Sequence, residues 1–308
     1  MKILVLGAGA LGGYYGARLM EAGADVTFLV RAPHTALLRD HGLVVKSPMG
    51  DFSGTVTTTT AEEVSHPFDA IVLTCKAYDL ESAANSIAPA VGKDTLIIPL
   101  LNGLAAYDML DKRFGAHHVA GGVSYIATSL TSSGNIVHLS PSDKLLVGAR
   151  QPAQSDRVEA FYEFASKSNG TRMLSDNIEQ ELWEKWVMIC AGAAVTCLMR
   201  SSIGDILKTN EGEEIIKSIF DECIAVAREA GYEPGAEARR SAGGVLLAQH
   251  SRWAASMMRD IDANAPRIEA DAIVGDMIRR GERYAIDTPL LRIAYTHLQA
   301  YQVQRSAR

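Results

Sequence analysis

Gly7, Gly9 and Gly12 stand as G-x-G-x-x-G directly after the apolar run Ile3–Leu6 and directly before a stretch of helical character. In that context the spacing describes an anion cradle. Gly7 permits a tight turn. Gly9 has no Cβ to hold a pyrophosphate off the backbone, and Gly12 lets strand and helix pack closely. Ala8, Ala10 and Leu11 fill the loop between the glycines, where a helix N-terminus offers free N–H groups and a positive dipole end to phosphates. The chemistry implied is dinucleotide binding. An acid about 20 residues beyond the glycines would bind a ribose 2′-hydroxyl. Here the second strand ends Leu29-Val30-Arg31, and the nearest acid, Asp25, sits at its start. A guanidinium at that end suits a 2′-phosphate, to which it donates two charge-assisted hydrogen bonds. The expected cofactor is NADP(H); the alternative is a solvated surface arginine.

Other residues could do chemistry, each beside a plainer reading. Lys76, in LTCKAYD, follows a predicted strand, where ligands of doubly wound sheets sit. It would meet a cofactor phosphate or a substrate carboxylate, or it is a surface lysine. Asn102, in PLLNGL, holds a similar place after the next strand, and Asn-Gly is also a common turn. Lys185 starts a nearly all-apolar predicted helix, between Trp183 and Trp186. Such surroundings disfavour the ammonium and ease proton donation; the alternative is a lysine snorkelling from a helix end. SMMRDIDANAPRIEADAIVGD offers Ser256, Asp260, Asp262, Glu269 and Asp271. Acids on helices usually form a solvated face, and the pattern alone singles out neither Ser256 nor Glu269.

The elements that must position these residues change character along the chain. Short apolar runs at Ile3–Leu6, Val26–Val30, Ala70–Thr74 and Thr95–Pro99 alternate with helix-like stretches, the rhythm of βαβ units on a parallel sheet. Thr55–Thr60 reads as a connecting strand. Val119–Ile126, Ile136–Leu139 and Lys144–Val147 read as strands closing the sheet. From about Asp176 the pattern is helical, which puts a boundary near Gly170. Asn210 with Glu213 predicts a capping box, Gly231 a helix end, and Thr288-Pro289 an N-cap with proline at the first helical position.

The net charge of −6 argues against a general nucleic-acid binder. Four cysteines without a C-x-x-C pair read as reduced thiols in a reducing cytoplasm. No metal site is called for. The apolar run Trp186–Met199 is shorter than the roughly 18 residues of a membrane span and predicts a buried helix.

In order and spacing, GAGALGG, VRAP, CKAYD, LNG, LWEKW, SMMRD and EADAIVGD resemble the ketopantoate reductase (2-dehydropantoate 2-reductase) family, essentially end to end. The resemblance implies an α/β fold: a Rossmann-type, doubly wound NADP-binding domain over residues 1–170, then an all-helical substrate and catalytic domain over 171–308. It implies an active site in the cleft between them, and reduction of a 2-oxo acid by NADPH, ketopantoate to pantoate, in pantothenate and coenzyme A biosynthesis. It gives Lys185 as general acid, and Glu269 and Ser256 as residues that bind or orient substrate and lysine. It sets Lys76 and Asn102 along cofactor and substrate, and a homodimer is the usual assembly. The chain departs from the family where asparagines are usual four and eight residues beyond the lysine and three before the serine; here stand Ile189, Ala193 and Trp253. Isoleucine cannot replace an amide's hydrogen bond to a hydroxyl. A less polar 2-oxo or hydroxy acid, or a non-catalytic NADP(H) sensor, are the alternatives.

Overall fold

The computed structural model describes residues 1–306, and these divide into two compact units: Met1–Leu101 with Ala106–Ile178, and Asn102–Ala105 with the described residues from Glu179 onward. The first unit opens with β1 (Lys2–Leu6), α1 (Ala10–Glu21), β2 (Asp25–Leu29), α2 (Ala32–His41), β3 (Leu43–Lys46), β4 (Phe52–Gly54) and β5 (Thr57–Thr59). It continues through β6 (Ala70–Leu73), α3 (Leu80–Ile87), β7 (Leu96–Pro99) and α4 (Ala105–Phe114). It ends with β8 (Gly121–Tyr125), β9 (Thr128–Leu130), β10 (Ile136–His138), β11 (Lys144–Gly148), α5 (Ser155–Ala165) and β12 (Thr171–Leu174).

Among the described residues the main sheet has the order β5-β2-β1-β6-β7, with every pair parallel. Strands β6 and β7 are buried throughout. That is why they read as continuous apolar runs rather than alternating ones. The chain builds outward from β1 to β5 on one side, then returns to β6 on the other. The order therefore reverses between β1 and β6, and ligands of open α/β sheets bind outside the carboxyl ends at such a reversal.

Two expectations about this sheet are corrected. The threonine run is an edge strand, pairing parallel with β2, rather than a connection. The strands expected to close the sheet form sheets of their own, β4-β3-β10-β9 and β12-β11-β8. Strand β8 pairs antiparallel with β11 over its whole length, and Val119, just before it, bridges to Ile97 of the main sheet. Alternating patterns identify strands but not their partners. A buried polar knot joins these parts. Asp143 accepts hydrogen bonds from the Tyr14 and Tyr15 hydroxyls, each at 2.9 Å, and pairs with Arg172 at 2.6 Å.

The second unit is helical. It comprises most of α6 (Ile178–Met199), then α7 (Ile203–Ile206), α8 (Gly212–Glu229), α9 (Ala236–Leu246), α10 (Ser256–Asp262), a π-helical turn (Asp271–Gly275), α11 (Asp276–Arg283) and α12 (Pro289–Ser306). Helix α6 is long and apolar enough to cross a membrane by composition, yet most of it is buried within the chain. Helix α8 buries Ile216, Ile219, Cys223 and Val226–Ala227, the three-and-four spacing of one helical face.

Its ends test the expected caps. Gly231 has φ +87° and donates to Arg228 O, ending α8 as the glycine predicts. The Asn210–Glu213 capping box does not form. Gly212 donates to Thr209 O and begins the helix, where a Cβ would lie 1.9 Å from Ile206 O, so the preceding turn sets the register. Pro289 does open α12, but the buried Thr288 hydroxyl has no partner. The Glu222 carboxylate of α8 caps instead, accepting from the Leu290 and Leu291 N–H groups at 2.9 Å.

Candidate active site

The glycine loop leaves β1 at the reversal point. Gly7 has φ +91° and donates to Leu29 O at 2.9 Å, so the turn that follows β1 is tied to the end of β2. Gly9 is the N-cap of α1 and has no side chain to close the helix end; a Cβ built there meets nothing within 4 Å. That space, with the first N–H groups of α1 beside it, can hold an anionic pyrophosphate. Gly12 admits no side chain. Its Cβ would lie 2.2 Å from Gly7 O and 2.3 Å from the Thr74 hydroxyl. Thr74, which donates to Leu6 O at 2.8 Å, closes the floor of the turn from β6. Sequence reading passed over Thr74; the available signal was its place directly after a buried strand at the reversal point.

Ala8 is buried, and Ala10 and Leu11 are half-buried in the same loop. Lys76 is half-buried two residues beyond Thr74, at the start of the tight turn Ala77–Asp79. Arg31 is exposed and precedes α2 directly, two residues past the end of β2. Burial and then the Arg31 charge hold the neighbouring His34 imidazole below its ordinary pKa.

The second unit gathers the residues expected to do acid–base work. Lys185 was expected at a helix start. Helix α6 begins at Ile178, so the lysine lies two turns inside and is only 8% exposed. It cannot snorkel over the helix end. Burial lowers its pKa to about 8, while the Glu269 carboxylate acts in the opposite direction and favours the ammonium. Glu269 is itself 6% exposed. It stands apart from the solvated acids around it: Asp262 pairs at the surface with Arg200, and Asp271 with Arg279 and the Tyr295 hydroxyl.

Asn102 reaches the same unit through its neighbour. Gly103, at φ +83°, packs so closely that a Cβ would lie 2.5 Å from Ala272 O and 3.5 Å from Trp186 Nε1. Trp186 Nε1 donates to Ile273 O at 2.9 Å. The Asn102 loop, the Lys185 helix and the turn after Glu269 therefore meet in one place. Ser256 is the first residue of α10 and half-buried; just before it, Ala255 N–H donates to Thr196 Oγ1 of α6 at 3.4 Å.

Lys185, Ile189, Gly192 and Thr196 share one face of α6 by helical spacing. The Trp253 ring lies against Gly192, where a Cβ would meet it at 2.5 Å. Ala193 is fully buried and Ile189 half-buried. Where amides are usual in this pattern, the unit presents hydrocarbon. A cavity of about 320 Å³ at the start of α5, lined by Arg150, Gln151, Ser155 and Glu159, involves none of these residues; its arginine is paired with Asp111.

Comparison with known proteins bears on the family and the fold. The family model described as ketopantoate reductase PanE/ApbA matches residues 3–152, and its C-terminal counterpart matches residues 177–302. A Bacillus subtilis protein named uncharacterized oxidoreductase YkpB is 32% identical over 305 residues, covering 99% of this chain and 100% of that protein. A 2-dehydropantoate 2-reductase of Streptococcus pyogenes is 25% identical, with 95% of each chain covered. Among solved structures, 2-dehydropantoate 2-reductase from Geobacter metallireducens superposes with TM-score 0.88 at 26% identity, covering 97% of this chain and 99% of its own. D-mandelate dehydrogenase, solved with NADH and anilino(oxo)acetate, shares the fold with TM-score 0.89 at 22% identity, with 99% of each chain covered. With both halves matched and a full-length relative at this identity, the chain belongs to the PanE/ApbA ketopantoate reductase family of oxidoreductases.

Proposed function

We propose that this protein reduces a 2-oxo acid to the 2-hydroxy acid with a nicotinamide cofactor, NADP(H) in preference to NAD(H), and that ketopantoate is the reference substrate. The observation that carries the reading is Lys185: an ammonium two turns inside an apolar helix, with its pKa brought down to about 8 and a buried carboxylate acting on it. A nicotinamide, when bound, supplies the hydride that goes to the ketone carbon. The chain supplies the rest. Lys185 Nζ stabilises the negative charge developing on the carbonyl oxygen and gives that oxygen its proton. Glu269 keeps the lysine charged and in place. Ser256 and Asn102 hydrogen-bond the substrate. The loop from Gly7 to Gly12 holds the pyrophosphate, Arg31 the 2′-phosphate, and Lys76 a phosphate or the substrate carboxylate. In this assignment residues 1–170 bind the cofactor and 171–308 provide the acid.

A second reading concerns the substrate. The Ile189, Gly192–Trp253 and Ala193 surface offers no amide to a substrate hydroxyl. It favours a 2-oxo acid whose substituent is apolar, which is also the chemistry of the ligand named with D-mandelate dehydrogenase. Following NADPH absorbance with ketopantoate and a set of apolar 2-oxo acids tests both readings. Tight NADPH binding without turnover on any of them would overturn the enzymatic proposal in favour of a cofactor sensor.

A further inference from the structure

We infer that Trp186 is a positioning residue for the proton donor: its indole N–H fixes Lys185 against Glu269 through the π-helical turn. The inference rests on Lys185 being the proton donor, and it concerns a residue that touches neither substrate nor cofactor.

The geometry is a chain of short links. Trp186 follows Lys185 directly. Its Nε1 donates to Ile273 O at 2.9 Å. Ile273 N–H in turn donates to Glu269 O at 3.1 Å. One peptide bond and two hydrogen bonds thus join the backbones of lysine and glutamate, residues far apart in sequence.

The π-helical turn makes the middle link available. Over Asp271–Gly275 the backbone bonds run to the fifth residue, as Asp276 N–H to Asp271 O shows. The wider turn displaces carbonyls from the helix axis, so one of them can accept from a side chain. The indole that reaches it is held on every side. It is 1% exposed, its ring lies 5.1 Å from Trp183, and the Arg280 guanidinium sits over it at 5.5 Å, anchored by Asp276 at 3.0 Å. Gly103 closes the arrangement from the Asn102 loop by packing on Ala272 O. A phenylalanine would keep an aromatic ring at this position but could not donate. The Ile273 carbonyl would then lose the indole donor, and the turn would lose its tie to the lysine helix.

The test uses the full-length protein with NADPH and its best 2-oxo acid. Trp186→Phe keeps a smaller aromatic ring and removes the donor. Its kcat is expected to fall about 10-fold, with KM for NADPH unchanged. The alkaline limb of kcat should move to lower pH, because Glu269 no longer favours the ammonium. Glu269→Gln should move the limb the same way, and adding Trp186→Phe to it should cost little more. If Trp186→Phe fails to fold, Gly103→Ala displaces the same turn from the other side and should give the same pH shift, again without multiplying the Glu269→Gln loss. A folded Trp186→Phe or Gly103→Ala variant with wild-type kcat and pH limb overturns the inference. So do losses that multiply in the double variant. Near-normal turnover by Lys185→Ala would instead sink the proton-donor reading itself, whereas an inactive Lys185→Ala beside an unaffected Trp186→Phe sinks only this inference.

Discussion

Lys185 sets two opposing demands on one side chain. Burial disfavours its ammonium, and the proposed reaction needs that ammonium as a proton donor. With a pKa near 8, the acid form predominates below that pH and is lost above it. We expect kcat to fall as pH rises through about 8, measured under saturating NADPH and substrate. The same burial costs stability. The folded-state pKa is lowered from the ordinary 10.5 to about 8, so the fold carries the full penalty of a charged lysine below pH 8 and sheds it between about 8 and 10.5. A shift of this size corresponds to roughly 3 kcal/mol. Lys185→Met should therefore abolish turnover and raise Tm at pH 7, with NADPH binding retained; a lower Tm would show that the charge is better compensated than burial implies. Arg31 makes a separate residue-scale prediction. Losing its charge-assisted bonds should weaken NADPH binding about 10- to 100-fold in titration calorimetry and leave NADH binding nearly unchanged. Equal losses for the two cofactors would remove Arg31 from the 2′-phosphate.

Single elements are held by side chains that come from elsewhere in the chain. The start of α12 shows this clearly. The local Thr288-Pro289 signal places the helix correctly, but the cap is Glu222 on α8. Glu222→Ala should destabilise by about 1–2 kcal/mol, the usual cost of losing an N-cap, and appear as a lower urea midpoint. Thr288→Val should be nearly silent, because that hydroxyl has no partner to lose. If Thr288→Val cost more than Glu222→Ala, the assignment of the cap would be wrong. The Asp143 knot is a stronger case. Asp143→Asn would leave the Arg172 guanidinium, only 3% exposed, without its charge partner. The expected cost is about 3–5 kcal/mol.

For the whole molecule, the proposed reaction turns on which 2-oxo acid fits the chain. Family membership carries the oxidoreductase class, while the hydrocarbon at Ile189, Ala193 and Trp253 bears on the substituent. Ketopantoate and 3,3-dimethyl-2-oxobutanoate differ by one hydroxyl, so their kcat/KM ratio measures what the missing amides do. A pocket that hydrogen-bonds a hydroxyl rejects the analogue lacking it by a large factor, about 10⁴ or more, whereas a hydrocarbon pocket does not. We expect kcat/KM for the dimethyl acid to equal or exceed that for ketopantoate. A strong preference for ketopantoate would show that another polar group serves the hydroxyl.

The sequence by itself determined whatever depends on neighbours along the chain. The positive φ at Gly7, the tight approach at Gly12 and the exposed Arg31 past β2 follow from a strand, a turn and a helix in succession. The βαβ rhythm and the apolar helix around Lys185 are local in the same sense, since periodicity reports burial directly. Partnership across the chain was not legible. Strand pattern left open which sheet β8 joins, and the acids near Ser256 looked alike until folding buried Glu269 and left Asp262 and Asp271 in solvent. The π-helical turn, the Trp186 bond to Ile273 and the Glu222 cap needed the tertiary structure, because each depends on where a distant backbone group comes to rest. Hydrogen bonds and burial act through space, and a sequence states only the order in which the groups are strung.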